Sequence, residues 1–276
     1  MSKTLAKLLA FCLAFMLFAG AASAQSLIMA TTTSTDNTGL LDYLAPKFQK
    51  DTGIELKWTA VGTGKALELA RNCDVDVLLV HAPPAEKEFV KNGYGVDRTR
   101  VMYNDFIIIG PSQDPAAVQG KPVCEALKEI KAQGATFVSR GDDSGTHKKE
   151  RHLWKRAGLK VPASKAWYLE TGQGMMATIR VATEREGYTL ADRGTYIKYA
   201  ENYDGQPPLK VLVHGDNVLF NQYSVIAVSP ENCPHAKYSL AKELIRWIAS
   251  PETQDRIGSF RLLGKRLFTP NANASE

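Results

Sequence analysis

Cysteine is scarce in this chain, with 4 among 276 residues, and histidine is nearly so, with 5. No two cysteines form a CxxC pair, which leaves zinc-ribbon and thioredoxin-type readings without support. No stretch gathers Lys and Arg into a stripe, and the formal charge of +5 is small and dispersed, so nucleic acid is excluded as a partner. Internal repeats and low-complexity tracts are absent. A content of 44% hydrophobic, 23% charged and 9% aromatic residues excludes a disordered chain, a collagen-like repeat and a disulfide-dense miniprotein. What is left is an ordinary globular protein, long enough for one large domain or two modest ones.

The N-terminus stands apart. Lys3 and Lys7 precede an uncharged run from Leu8 to Ala22, and Ala22-Ser23-Ala24 places small residues at the −3 and −1 positions. The run is shorter than the roughly 20 residues of a membrane-spanning helix, so residues 1–24 are expected to be a cleaved secretory signal. Phe11 before Cys12 does not fit a lipoprotein signal. Cleavage after Ala24 leaves 32 basic and 29 acidic residues, a formal charge of +3. Cys73, Cys124 and Cys233 then remain. In an oxidising compartment they permit one bridge and leave one thiol over, with the pairing open.

Past the signal, apolar runs alternate with helical spacing. Strands are expected at 27–30, 54–61 and 75–80, separated by helices carrying Leu40, Leu41, Leu44 and Phe48, then Leu67 and Leu69. A helix follows at 86–91. This β-α-β-α-β order, without hairpin signals, predicts a parallel sheet with helical crossovers. An apolar strand at 106–109 is followed by helices near 123–131, 144–157, 175–186 and 195–200, and by strands near 136–139, 167–169, 209–213 and 218–228. Helices near 239–249 and 251–259 close the chain. The expected architecture is two α/β lobes, each a mainly parallel sheet flanked by helices. Residues 25–107 plus 222–276 form lobe I and residues 108–221 form lobe II, joined by the long strands at 104–110 and 218–228.

Three strand-to-helix junctions share a chemistry. Thr31-Thr32-Thr33-Ser34-Thr35-Asp36-Asn37-Thr38 is eight capping-type residues in a row. Gly62-Thr63-Gly64 is the second junction, and Ser139-Arg140-Gly141-Asp142-Asp143-Ser144-Gly145-Thr146 is the third. Each lies at the C-terminal end of an expected parallel strand, where open α/β sheets place ligands. Plain N-capping accounts for any one of them. Together, their hydroxyls, helix-start amides and the fixed cation Arg140 suit a small oxyanion.

Catalytic patterns fail. Gly62-Thr63-Gly64-Lys65 is no P-loop, since Thr59 stands where glycine is needed and Ala66 replaces the magnesium-holding hydroxyl. Asp143-Ser144-Gly145 breaks the Gly-x-Ser-x-Gly pattern at Asp142 and Thr146. His147 and His152 sit about 140° apart around a helix and cannot share a metal. His81, His214 and His235 form no usable spacing.

The runs Thr31-Thr32-Thr33-Ser34 and Ser139 to Glu150, with Gly172-Gln173-Gly174-Met175 and Glu186 to Arg193, resemble the tungstate-binding periplasmic proteins of ABC importers, the TupA family. The resemblance covers essentially the whole mature chain. It implies a type II periplasmic-binding fold, capture of tungstate in the cleft between the lobes, and delivery to a membrane permease driven by a cytoplasmic ATPase. A periplasmic monomer with no cofactor and no catalysis follows from it. Donors are expected from Thr32, Thr33, Ser34, Thr63, Ser144, Gly145 and Thr146, charge balance from Arg140, and closure of the cleft from Gly174 and Thr178. Arg140-x-Asp142-x-Ser144-Gly145-Thr146 also has the spacing of phosphate-binding proteins of the same fold, so molybdate, sulfate and phosphate stay open as ligands. An exported hydrolase of phosphate or sulfate esters is the rival from another class.

Overall fold

The computed structural model describes residues 25–163 and 165–272; the expected signal segment lies outside them. The chain begins with β1 (Gln25–Thr32), a four-residue α1 (Thr33–Asp36) and α2 (Leu40–Thr52), then β2 (Ile54–Val61), α3 (Thr63–Arg71), β3 (Val77–Val80) and α4 (Pro83–Lys91). β1 pairs in parallel with β2 on one side and with β3 on the other. All four residues of β3 are buried, as expected of a strand covered by helices on both faces.

The next strand, β4 (Gly95–Pro111), is 17 residues long and belongs to both halves of the molecule. From Gly95 to Asp105 it pairs antiparallel with β9 (Phe220–Val228), which itself lies antiparallel against β3. From Phe106 onward it pairs antiparallel with β7 (Thr189–Asp192) and β8 (Leu209–Val213). The parallel pairs expected from the β-α-β order are present, and the two crossing strands make the sheet mixed.

Between these strands run α5 (Val123–Gln133), β5 (Phe137–Ser139), α6 (Gly145–Arg156), β6 (Tyr168–Glu170), α7 (Met175–Glu184) and α8 (Arg193–Glu201). β5 and β6 pair in parallel. After β9 come α9 (Tyr238–Ala249), α10 (Pro251–Ser259) and three two-residue strands, β10 (Arg261–Leu262), β11 (Lys265–Arg266) and β12 (Thr269–Pro270), the last on the edge of β4.

Period-two alternation assigns each strand to two cores. Leu27 and Met29 of β1 face Phe48, Val225, Ile245 and Phe268, whereas Ala30 faces Leu78, Phe89 and Ile226. On β4, Phe106 and Ile108 join Phe137, Trp154 and Tyr188, and Ile107 and Ile109 join Val138, Ile179 and Tyr199. Cys73 and Cys233 are bridged across 160 residues, tying the end of α3 to the loop before α9, and among the described residues Cys124 is the free thiol.

Candidate functional site

The ends of β1, β2, β3 and β5 converge on a cavity of ≈ 420 Å³. Thr32, Thr33 and Ser34 come from the first junction, Gly62, Thr63 and Gly64 from the second, and Arg140, Asp142 and Ser144 to Thr146 from the third. All three predicted loops meet there. A fourth, carrying His81 and Ala82 between β3 and α4, completes the lining. A neighbouring cavity of ≈ 370 Å³ shares Thr33, Ser34 and Arg140 and extends to Gly174, Met175, Asp192 and Lys198.

The free groups lining this space are donors. The first-turn amides of α3, α6 and α7, after Gly62, Ser144 and Gly174, have no partner within their helices and sit at the positive dipole ends. The hydroxyls of Thr33, Thr63 and Thr146 make no hydrogen bond among the described residues. Arg140 is anchored on two edges, through Nε to the Gln173 carbonyl (3.3 Å) and through Nη2 to Asp142 (2.5 Å). That fixes the plane of its guanidinium.

Other predicted donors are spent on building the loops. Ser144 caps α6 by accepting the His147 amide at 3.3 Å, and its own amide donates to Asp142 Oδ1 at 3.2 Å. Burial opposes ionisation of Asp142, but Ser144 and Arg140 outweigh it and hold the carboxyl below its ordinary range. Thr32 accepts the Thr35 amide at 3.2 Å and lies within 3.0 Å of the Ser34 hydroxyl and His81 Nε2. Thr178 lines neither cavity. It is fully buried, with its hydroxyl bonded to Thr171 and the Gly174 carbonyl, so it shapes the start of α7 rather than facing the cleft.

The third loop rests on Glu150, which sequence reasoning left unassigned. Buried on α6, it accepts from Ser139 (2.6 Å), Tyr168 (2.7 Å) and Trp154 (3.0 Å). Burial nonetheless raises its pKa, and it also pushes the Tyr168 hydroxyl up. Gly141 turns this loop at φ +62°, where a Cβ would lie 2.8 Å from Glu170 Cβ, so both conformation and space require glycine. His81 was invisible in the sequence because its partners, Asn221 and Ser34, are 140 and 47 residues away.

Two α/β lobes sharing crossing strands, with a donor-lined cleft at helix N-termini, define a solute-binding protein for a small anion. The chain matches the PBP superfamily domain over residues 19–252. It is 52% identical over 239 residues to the tungstate-binding protein TupA of Campylobacter jejuni, covering 87% of this chain and 88% of that protein. Among solved structures, the tungstate-binding protein TupA from Desulfovibrio alaskensis G20 is 64% identical, with a TM-score of 0.87, over 91% of this chain and all of that one (100%). A structure described as the tungstate ABC transporter from Geobacter sulfurreducens is 48% identical, with a TM-score of 0.76, over 85% of this chain and 98% of its own. The chain belongs to the TupA family of tungstate-binding proteins within the PBP superfamily.

Proposed function

We propose that this protein is a periplasmic solute-binding protein that captures tungstate between its lobes and delivers it to the permease of an ABC importer, as a monomer and without chemical turnover. The observation that carries the reading is the one-sided chemistry of the cleft. Its free groups are donors, and its carboxylates are occupied: Asp142 by Arg140 and Ser144, Asp143 by Lys148, and Asp192 by the amide and hydroxyl of Thr195. Hydrogen phosphate at neutral pH needs an acceptor for its remaining proton, whereas tungstate needs none. Molybdate has the same charge and shape and competes. The expected leader at residues 1–24 and the Cys73–Cys233 bridge support an oxidising compartment outside the cytoplasm, and no helix among the described residues is long and apolar enough to cross a membrane.

Calorimetric titration with tungstate, molybdate, sulfate and phosphate in parallel tests this. Tungstate and molybdate are expected to bind most tightly and phosphate weakly; dominant phosphate binding would contradict the reading. One feature argues for the esterase rival: Ser34 Oγ, His81 Nε2 and Asn221 stand in the order of nucleophile, base and orienting amide, each step 3.0 Å. The same imidazole nitrogen also faces Thr32 at 3.0 Å, however, and no acid steadies the ring through Nδ1. Chromogenic phosphate and sulfate esters are expected to remain intact; turnover lost in Ser34→Ala or Ser144→Ala would establish the hydrolase instead.

A further inference from the structure

His81 closes β3 with its ring held on both nitrogens and one face. Nδ1 lies 3.0 Å from Asn221 Oδ1, and Tyr223 packs against the ring with centroids 4.8 Å apart. Asn221 Nδ2 donates to Asn104 Oδ1 at 2.9 Å and to the Tyr223 hydroxyl at 3.3 Å. The amide oxygen is therefore the atom facing the ring, and Nδ1 carries the hydrogen. In the neutral imidazole, Nε2 then has one lone pair, with Thr32 Oγ1 and Ser34 Oγ both 3.0 Å away.

One lone pair accepts one hydroxyl proton. The hydroxyl that gives it aims hydrogen at the ring and keeps lone pairs for its other neighbours, the wrong polarity for an oxyanion oxygen. Protonation of Nε2 reverses the arrangement. The ring becomes the donor, the one hydroxyl proton it held is released so that both hydroxyls can donate to other acceptors, and a positive charge stands beside the cavity. We propose that His81 is the positioning residue of the first anion loop, setting the direction of the Ser34 and Thr32 hydroxyl protons so that capture of a dianion draws a proton onto the ring. This rests on the oxyanion reading of the cleft and adds its linkage to pH.

The surroundings keep the ring neutral until an anion arrives. Burial holds His81 below the ordinary histidine range, against smaller opposing effects of Asn221 and Asp192. Gly145 starts α6 against the ring, its Cβ position 3.7 Å from Cε1, so the positive end of that helix adds to the opposition. Arg140 shares one cavity with His81, and Lys148, Lys149 and His152 of α6 share another. Glu86 on α4 is turned to Arg98 and the Ala82 amide, while Asp142 and Asp143 are paired as described. Tyr223 burial pushes its hydroxyl up, so it stays neutral. Asp192 is thus the acid left to favour the imidazolium, and a bound dianion adds to it.

Calorimetry with sodium tungstate in two buffers of different ionisation heat, from pH 8.5 to pH 6.5, reads the linkage. Wild-type protein is expected to take up close to one proton per anion within this window, with affinity rising as pH falls by up to about tenfold per unit for one linked proton. His81→Gln is expected to bind tungstate with no uptake and a flat profile. Asn221→Asp, which sets a full charge against Nδ1, is expected to move the rise in affinity to higher pH. Binding by the wild type without proton uptake, or uptake unchanged in His81→Gln, overturns the proposal. Should His81→Gln not fold, an unshifted profile in Asn221→Asp overturns it. Absence of any tungstate binding by the wild type refutes the reading of the cleft itself.

Discussion

Thr146 and Thr178 are both buried threonines at the starts of helices, and the structure separates their roles by where their hydroxyls go. Thr146 lines the cavity with its hydroxyl unspent, while Thr178 uses its own on Thr171 and the Gly174 carbonyl. A hydrogen bond to a charged acceptor contributes about 1.5–3 kcal/mol, so Thr146→Val is expected to weaken tungstate binding about 10- to 100-fold. Thr178→Val is expected to leave affinity nearly unchanged and to lower the melting temperature instead. Arg140 combines a planar fork with a fixed charge. Arg140→Lys keeps the charge and loses the fork, weakening binding; Arg140→Glu sets a carboxylate against the dianion and nearly abolishes it. Calorimetry on the four variants checks the set, and equal affinity for Arg140→Lys, Arg140→Glu and wild type would remove Arg140 from the site.

At the scale of elements, β5, α6 and β6 act as one unit because Glu150 joins them through Ser139, Trp154 and Tyr168. Glu150→Ala strands three buried donors and is expected to cost about 3 kcal/mol of stability, measured by denaturant unfolding. Glu150→Gln keeps the shape and removes the titration. Because the folded-state pKa of Glu150 is raised, the folded protein holds its proton more tightly than the unfolded chain. Its contribution to stability therefore improves as pH falls through the raised value toward about 4.3, and worsens again toward neutral pH. The stability difference between wild type and Glu150→Gln is expected to move in the wild type's favour on acidification over that window; a pH-independent difference would contradict it.

How much of this was readable beforehand varies by element. Helices with clear 3.6 spacing, such as α2 and α9, and the junction loops were readable because their signals are local. The first half of β4 was not, since Asp97, Arg98, Thr99 and Arg100 make that stretch polar, and it is held by pairing with β9 rather than by its own apolar pattern. β7 was hidden because Thr189-Leu190-Ala191-Asp192 holds only two apolar residues between polar ends, unlike the all-apolar β3 of the same length. Cysteine parity permitted one bridge without saying whether it forms, and the partners, 160 residues apart, needed the fold. Among site residues, Arg140 and the threonine loops were visible, while the engagement of the Thr32 hydroxyl and the part proposed for His81 depend on partners 47 to 140 residues away.

For the whole molecule, a formal charge of +3 after removal of the expected leader gives little long-range attraction. On the proposed reading recognition is instead local, through the helix ends, unspent hydroxyls and one arginine that line the cavity, and β4 and β9, which cross between the lobes, are the strands at which a hinge would act. The most direct test is a crystal structure of the protein with sodium tungstate, located by the anomalous scattering of tungsten. A single strong peak is expected in the cavity among Thr33, Thr63, Arg140 and Thr146, with its oxygens about 2.7–3.2 Å from their donors and from the Gly145 amide. A tungsten peak elsewhere, or none in this cavity at saturating tungstate, would contradict the account.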